Sequence, residues 1–244
     1  MCFTEYSRPG ATMIDMPTPG SQPFSIAVRP RRFTQGWLGA WLWLFCFQFF
    51  LAEQIARTGW PGHYSMARDY ISDLGAVHCG VSPCSSLHWV MNGSFVLQGF
   101  LIFFGAVLVR RLFPVRPVYR IGLVLFAIAG LGVLVVGLVP EDVGFRLHIL
   151  GAVANFLGGN LAMTVLGLVM IRRSVCLSGA MRWRSWVTFA AGSVGLLATL
   201  ALAFRGSPSW AALGWDAGTV ERLAVYPLPL WLTWTGFLML NRGR

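Results

Sequence analysis

The chain has 244 residues, of which 56% are hydrophobic and only 11% charged, and its mean hydropathy is +0.63. A soluble domain carries about 25% charged residues, so this chain cannot cover a globule with polar surface, and a bilayer is the solvent that suits it. The net charge of +10 rests on 19 cations, all arginine, against 9 acids; they fall in short connections rather than one basic patch, so no nucleic-acid partner is expected.

Residues 1–35 are rich in Pro, Ser, Thr and Gly without an apolar period, and end in Arg29, Arg31 and Arg32. They read as a disordered cytoplasmic tail. The first apolar run follows a leader too long for a cleaved signal peptide and is expected to remain as an anchor. Six apolar runs come next, at about 37–56, 87–109, 118–139, 147–171, 186–204 and 223–240. Each matches the roughly 20 residues a helix needs to cross the hydrocarbon. Residues 36–241 therefore read as an all-α integral membrane protein, a six-transmembrane-helix bundle. The last run carries Pro227 and Pro229 near one end, so its first turn is expected to be distorted.

Arginine placement gives an orientation. Fourteen arginines lie in the tail, the second and fourth connections and the C-terminus; Arg57, Arg68, Arg146, Arg205 and Arg222 lie on the opposite side. The arginine-rich side is the one expected in the cytoplasm. That makes the chain a multi-pass plasma-membrane protein with both termini inside. Seven of the nine acids and all four histidines then gather at the outer face, while the mid-span polar residues are neutral: Gln48, Gln98, Asn155, Asn160, Thr164 and Thr199. A charge at mid-span costs about 2.5–3.5 kcal/mol, and the lack of one argues against an ion- or proton-driven pump.

The first outer connection, residues 58–86, is the densest in chemistry. Its core reads Arg68-Asp69-Tyr70-Ile71-Ser72-Asp73-Leu74-Gly75. If 65–74 forms a short interfacial helix, Asp69 and Asp73 share a face and Gly75 ends it. Two carboxylates so placed raise one pKa or bind a cation; the other reading is a cap or solvated turn with Asp73 paired to Arg68. Cys79 and Cys84 flank a Pro-containing turn in the same connection. On an oxidising face a disulfide is favoured over half a metal site.

Further along, His88 and Asn92 share a face at the start of the second helix, and His148 opens the fourth with Asn155 two turns deeper. Glu221 and Arg222 precede the last helix; being adjacent they cannot face each other, so each needs a partner elsewhere. Glu53, near the outer end of the first helix, is expected to seek Arg57, Arg222 or a histidine. From these residues Asp73, His148 and Glu221 are the candidate catalytic groups, and Asp69, His88, Asn92, Arg222 and Glu53 the candidate binding groups. No His-Glu-x-x-His, Gly-x-Ser-x-Gly or phosphate-binding Gly-rich loop occurs. The sequence names no metal and no cofactor.

Ile71-Ser72-Asp73-Leu74-Gly75, Cys84 leading to His88 and Met91-Asn92, His148, and Glu221-Arg222-Leu223 together resemble a widespread prokaryotic membrane family known as domain of unknown function 998. The resemblance covers roughly residues 35–240 and implies a six-helix bundle without an assigned activity. No histidine follows His148, so the three-histidine metal set of the transmembrane hydrolases that include alkaline ceramidases is not completed.

Two functional expectations follow. One is an outer-leaflet polar site that binds, or binds and then hydrolyses or transfers, a lipid or isoprenoid head group, with a membrane lipid as partner. The other is a non-catalytic assembly or stability partner of another membrane protein, in which the polar residues only tie helix ends together.

Overall fold

The computed structural model describes residues 35–80, 84–174, 179–205 and 214–241; the tail reading for 1–35 falls almost wholly outside them. Six helices are long and apolar enough to cross a membrane: α1 (Gln35–Thr58), α2 (His88–Leu112), α3 (Pro117–Leu138), α4 (Glu141–Arg173), α5 (Met181–Ala203) and α6 (Ala217–Asn241). No strand occurs among the described residues. The chain is an all-α, multi-pass membrane protein.

Each helix forms where the sequence has an uninterrupted apolar run, because hydrocarbon offers no partner for an open backbone N–H or C=O. The ends depart from the hydropathy boundaries in an instructive way. Helix α4 starts at Glu141 rather than near 147, with Glu141 and Asp142 in its first turn, where carboxylates meet the positive end of the helix dipole. Non-helical φ/ψ at Gly144 interrupts that first segment. Helix α6 is broken at Tyr226, between Ala217–Val225 and Pro227–Asn241, where Pro227 cannot donate to the preceding turn.

Neighbours in sequence are neighbours in space: α2 packs on α3, α3 on α4 and α4 on α5, while α1 packs on α2 and α6. At the α3–α4 crossing, a Cβ on Gly132 would stand 2.5 Å from Gly151 O, and one on Gly151 2.7 Å from Gly132 O. Only glycine permits backbones that close, which is how membrane helices gain packing without a hydrophobic drive. Trp43, Phe126 and Trp231 knit α1, α3 and α6, with ring centroids 5.2–5.9 Å apart. Outward-facing positions such as Phe45, Leu150, Leu197 and Phe237 remain exposed and apolar, as lipid contact requires.

Four of the neutral mid-span polar residues stitch helices together, whereas Thr164 and Thr199 bond back within their own helices. Gln48 Nε2 donates to Gln98 Oε1 (3.0 Å), Asn155 Nδ2 to Ala129 O (3.0 Å) and Asn160 Nδ2 to Ala224 O (2.8 Å). Among the described residues the buried acids and arginine are Glu53, Glu221 and Arg222. All three belong to the end of the bundle that carries the 58–86 connection, called the acidic end below.

That connection is not helical across 65–74. Only Ser72–Gly75 forms a 3-10 turn, so the expected interfacial helix is corrected to one short turn. The reason is local. Asp69 Oδ2 accepts from Ser65 N (2.6 Å) and Asp73 Oδ2 from Tyr70 N (2.9 Å), and such side-chain bonds compete with the helical ladder. Cys79 and Cys84 are bonded to each other, with Cα atoms 5.1 Å apart.

Candidate functional site

Glu53 is 0% exposed, because position 53 on α1 faces the interior where α6 crosses. A carboxylate there requires a charged partner, and Arg222 supplies it. Arg222 Nε and Nη2 reach Glu53 Oε1 at 3.2 and 2.9 Å, while Tyr226 OH donates to Glu53 Oε2 at 2.7 Å. Arg222 Nη2 also donates to Tyr64 OH (2.6 Å), and Nη1 donates to Met66 O (2.6 Å), Asp69 O (2.9 Å) and Gly218 O (3.1 Å). Every N–H of the guanidinium thus has an acceptor. Tyr64 OH in turn donates to Tyr70 O (2.7 Å); burial raises the Tyr64 pKa, which keeps that proton in place.

This clamp pins residues 64–70 onto α1 and α6. It depends on a glycine: a Cβ on Gly218 would stand 2.3 Å from Asp69 O and 2.9 Å from Met66 O and Ala67 O. With no side chain there, the carbonyls come close enough for Arg222 to collect two of them.

Next to the clamp lies a second polar group. Ile71 N donates to a Glu221 carboxyl oxygen. Asp73 sits beside Glu141, and burial together with that neighbouring carboxyl pushes its pKa up to about 7. Asp142 Oδ2 accepts from Val77 N (2.9 Å) and His78 N (2.6 Å) and lies 3.0 Å from His78 Nδ1, so the start of α4 holds the far side of the connection. Gly75, which ends the 3-10 turn, presses on α2. Asn92 Nδ2 donates to Gly75 O (2.8 Å), and a Cβ on Gly75 would stand 2.4 Å from Asn92 Oδ1.

Beneath the turn is a small cavity of about 40 Å³. Its lining residues include Ser72, Gln98, His148, Asn155 and Glu221 beside Phe49, Val136, Phe156 and Leu228, and most of the surface they present to it is apolar. The connection, α2, α4 and α6 all meet there.

Of the residues singled out as catalytic candidates, His148 and Glu221 line this cavity and Asp73 adjoins Ser72, which does too. The binding candidates are placed differently. Glu53 and Arg222 are joined in the clamp; Asp69 caps its own turn through its carboxylate and feeds Arg222 through its carbonyl. Asn92 holds the 3-10 turn. His88 is outside the cavity lining, with a buried Nδ1 that has no partner among the described residues. Among the described residues no three His, Cys, Asp or Glu side chains converge as a metal-binding group.

Sequence reasoning did not single out Tyr64 or Gly218. Tyr64 gives no local signal, since its hydroxyl meets an arginine 158 positions away. Gly218 had one available: a glycine four residues before Arg222, one helical turn away on the same face.

The model of the family described as a protein of unknown function (DUF998) matches residues 38–238, and the chain belongs to that family. No curated protein and no solved structure matches it.

Proposed function

We propose that the protein binds a membrane lipid, whose acyl or isoprenoid chain lies between α5 and α6 and whose head group sits at the acidic end. One observation supports this reading above others. A groove of about 1010 Å³ runs between Val187, Ala190 and Val194 on α5 and Leu223, Leu230 and Trp234 on α6, with Met66, Ala67 and Thr219 at one end. From Thr219 to Trp234 the helix rises about 22 Å, more than one leaflet's share of a hydrocarbon core about 30 Å thick. In a bilayer, an apolar groove of that size is filled by lipid.

The head-group partner on this reading differs from the one the sequence suggested. Arg222 borders the groove, but its N–H groups are all engaged. Arg68 follows Ala67, is exposed, and is available for an anionic head group; no side-chain partner for it occurs among the described residues. If the arginine-rich face is cytoplasmic, the lipid comes from the outer leaflet of the plasma membrane. Asp73, His148 and Glu221 gather on the other side of α6, where Val225, Leu228 and Pro229 line the small cavity. Binding or carriage of a lipid, rather than its hydrolysis, is therefore the better-supported activity.

A second reading, an assembly or stability partner for another membrane protein, is favoured by the completeness of the Glu53–Arg222–Tyr64 clamp. One experiment separates the two. The protein is extracted in polymer-bounded native nanodiscs, and its lipids and co-purifying proteins are compared with the bulk membrane. Lipid binding predicts one lipid class enriched several-fold. That enrichment is lost in Ala190→Trp, which fills the groove from an exposed position, and is reduced in Arg68→Gln. A bulk-like lipid composition together with a stoichiometric protein companion overturns lipid binding in favour of the second reading.

A further inference from the structure

The passage from α2 to α3 carries Arg110, Arg111, Arg116 and Arg120 and no acid. Three of these, Arg110, Arg111 and Arg120, line a groove of about 570 Å³ between the two helices. Arg110 and Arg111 stand at the end of α2 and Arg120 in the first turn of α3, so the cations sit at the connection end of the groove. From there it extends to Ala106 on α2 and Ala127 on α3. The seven residues from Arg120 to Ala127 rise about 10 Å, roughly a third of the hydrocarbon core. Val107 and Val124 on its walls are exposed, and most of the lining surface is apolar.

No hydrogen bond or ion pair engages these three guanidinium groups among the described residues. The described acids belong to the other end of the bundle, so no carboxylate among them compensates the charge. The chain before Gln35 is no better source of an anion, since it holds four arginines against Glu5 and Asp15. Arg110 and Arg111 are well placed for folding alone, because they meet the negative end of α2. Arg120 is not. It stands at the positive end of α3, which disfavours a cation, and no acid occupies that first turn. Topology explains an arginine bias on one face, but any position in the connection would serve it. It does not require three arginines around one apolar groove.

Basic pockets between transmembrane helices suit anionic head groups, and guanidinium groups bind phosphate through forked, charge-assisted hydrogen bonds. A zwitterionic lipid would bring an ammonium group toward three cations, which repel it. A soluble anion would leave the apolar part of the groove unused. We propose that this groove binds an anionic phospholipid from the leaflet at the arginine-rich end. Arg110, Arg111 and Arg120 hold its head-group phosphate, and the upper part of one acyl chain lies between α2 and α3. The site uses other helices than the α5–α6 groove and does not depend on the reading given to that groove.

The test uses the full-length protein in nanodiscs of phosphatidylcholine. Each sample contains a trace of either phosphatidylglycerol or phosphatidylcholine bearing a photoreactive diazirine high in one acyl chain. Crosslinked peptides are then mapped by mass spectrometry. The expected result is several-fold more adduct on residues 106–127 from the phosphatidylglycerol probe than from the phosphatidylcholine probe. Arg110→Gln/Arg120→Gln should bring the two probes to parity there. Arg172→Gln/Arg182→Gln removes the same charge from two exposed arginines outside the groove lining, and should leave the preference intact. Equal labelling by both probes in the wild-type protein, or none on 106–127, overturns the proposal without any variant being needed. So does a preference that survives Arg110→Gln/Arg120→Gln, or one that Arg172→Gln/Arg182→Gln abolishes equally, since charge on the whole face would then be the cause. Adducts on α5 and α6 report the other groove separately, so the two readings can fail independently.

Discussion

Arg222 makes more contacts than its sequence neighbours suggest. Its bond to Glu53 joins two helices far apart in the chain, and its bonds to Met66 O and Asp69 O fix a connection that has little regular structure of its own. Removing one member of a buried ion pair leaves the other charge without compensation, at a cost of about 3–5 kcal/mol. Arg222→Leu and Glu53→Leu should each lower folded protein and thermal midpoint strongly, whereas the double variant should recover part of the loss. Thermal unfolding in detergent reads this directly, and an additive double variant would show that the clamp is not a coupled unit. Asp73 adds a pH term. Its folded pKa of about 7 lies above the ordinary carboxylate value near 4, so between those values the folded chain holds a proton that the unfolded chain has released. Stability from this group is accordingly lost as pH rises from about 4 to 7. Asp73→Asn, which can still accept from Tyr70 N, should flatten the fall of the midpoint with pH across that window and be the more stable protein at pH 8. Parallel slopes for both proteins would contradict the assignment.

The element that matters most for the site is the short 3-10 turn Ser72–Gly75, and its conformation is where sequence and structure part company. Helical spacing of Asp69 and Asp73 suggested one shared face. In the folded chain each carboxylate instead bonds a backbone N–H three or four residues earlier, an option that spacing alone cannot weigh against a helix. The six spans, by contrast, were legible, because hydrocarbon admits little besides a continuous helix and the apolar runs are long enough to specify one. The gathering of His148 and Glu221 at one cavity was legible only as a shared face of the membrane. Their convergence depends on how α4 and α6 pack, and on close approaches such as Gly132 to Gly151 that no local pattern announces. A prediction belongs to this scale too. Gly75→Ala forces a Cβ against Asn92 Oδ1 and should destabilise the turn. Asn92→Ala removes the obstructing amide, so the Gly75→Ala/Asn92→Ala protein should lose less stability than the sum of the two single variants. Simple additivity would mean that the contact is not what confines residue 75 to glycine.

For the whole molecule, chemistry is divided between two ends. The described acids lie at one end, with the Cys79–Cys84 bond, while the second connection carries Arg110, Arg111, Arg116 and Arg120 at the other. If the arginine bias sets the orientation, the latter face lies in the cytoplasm, and the disulfide bears on the same question by a separate route, because such bonds persist in oxidising compartments and not in the reducing cytosol. The two arguments must agree, and cysteine labelling on intact cells makes them do so or fail. A membrane-impermeant maleimide added to untreated cells should label nothing, since Cys79 and Cys84 are bonded, Cys46 is buried, and Cys2 and Cys176, outside the described residues, are expected inside. After mild reduction the same reagent should label two thiols, and a Cys79→Ser/Cys84→Ser variant should lose that signal entirely. Permeabilisation should then expose Cys2 and Cys176. Labelling before reduction that persists in the Cys79→Ser/Cys84→Ser variant would put the arginine-rich face outside. The lipid for the α5–α6 groove would then have to come from the inner leaflet.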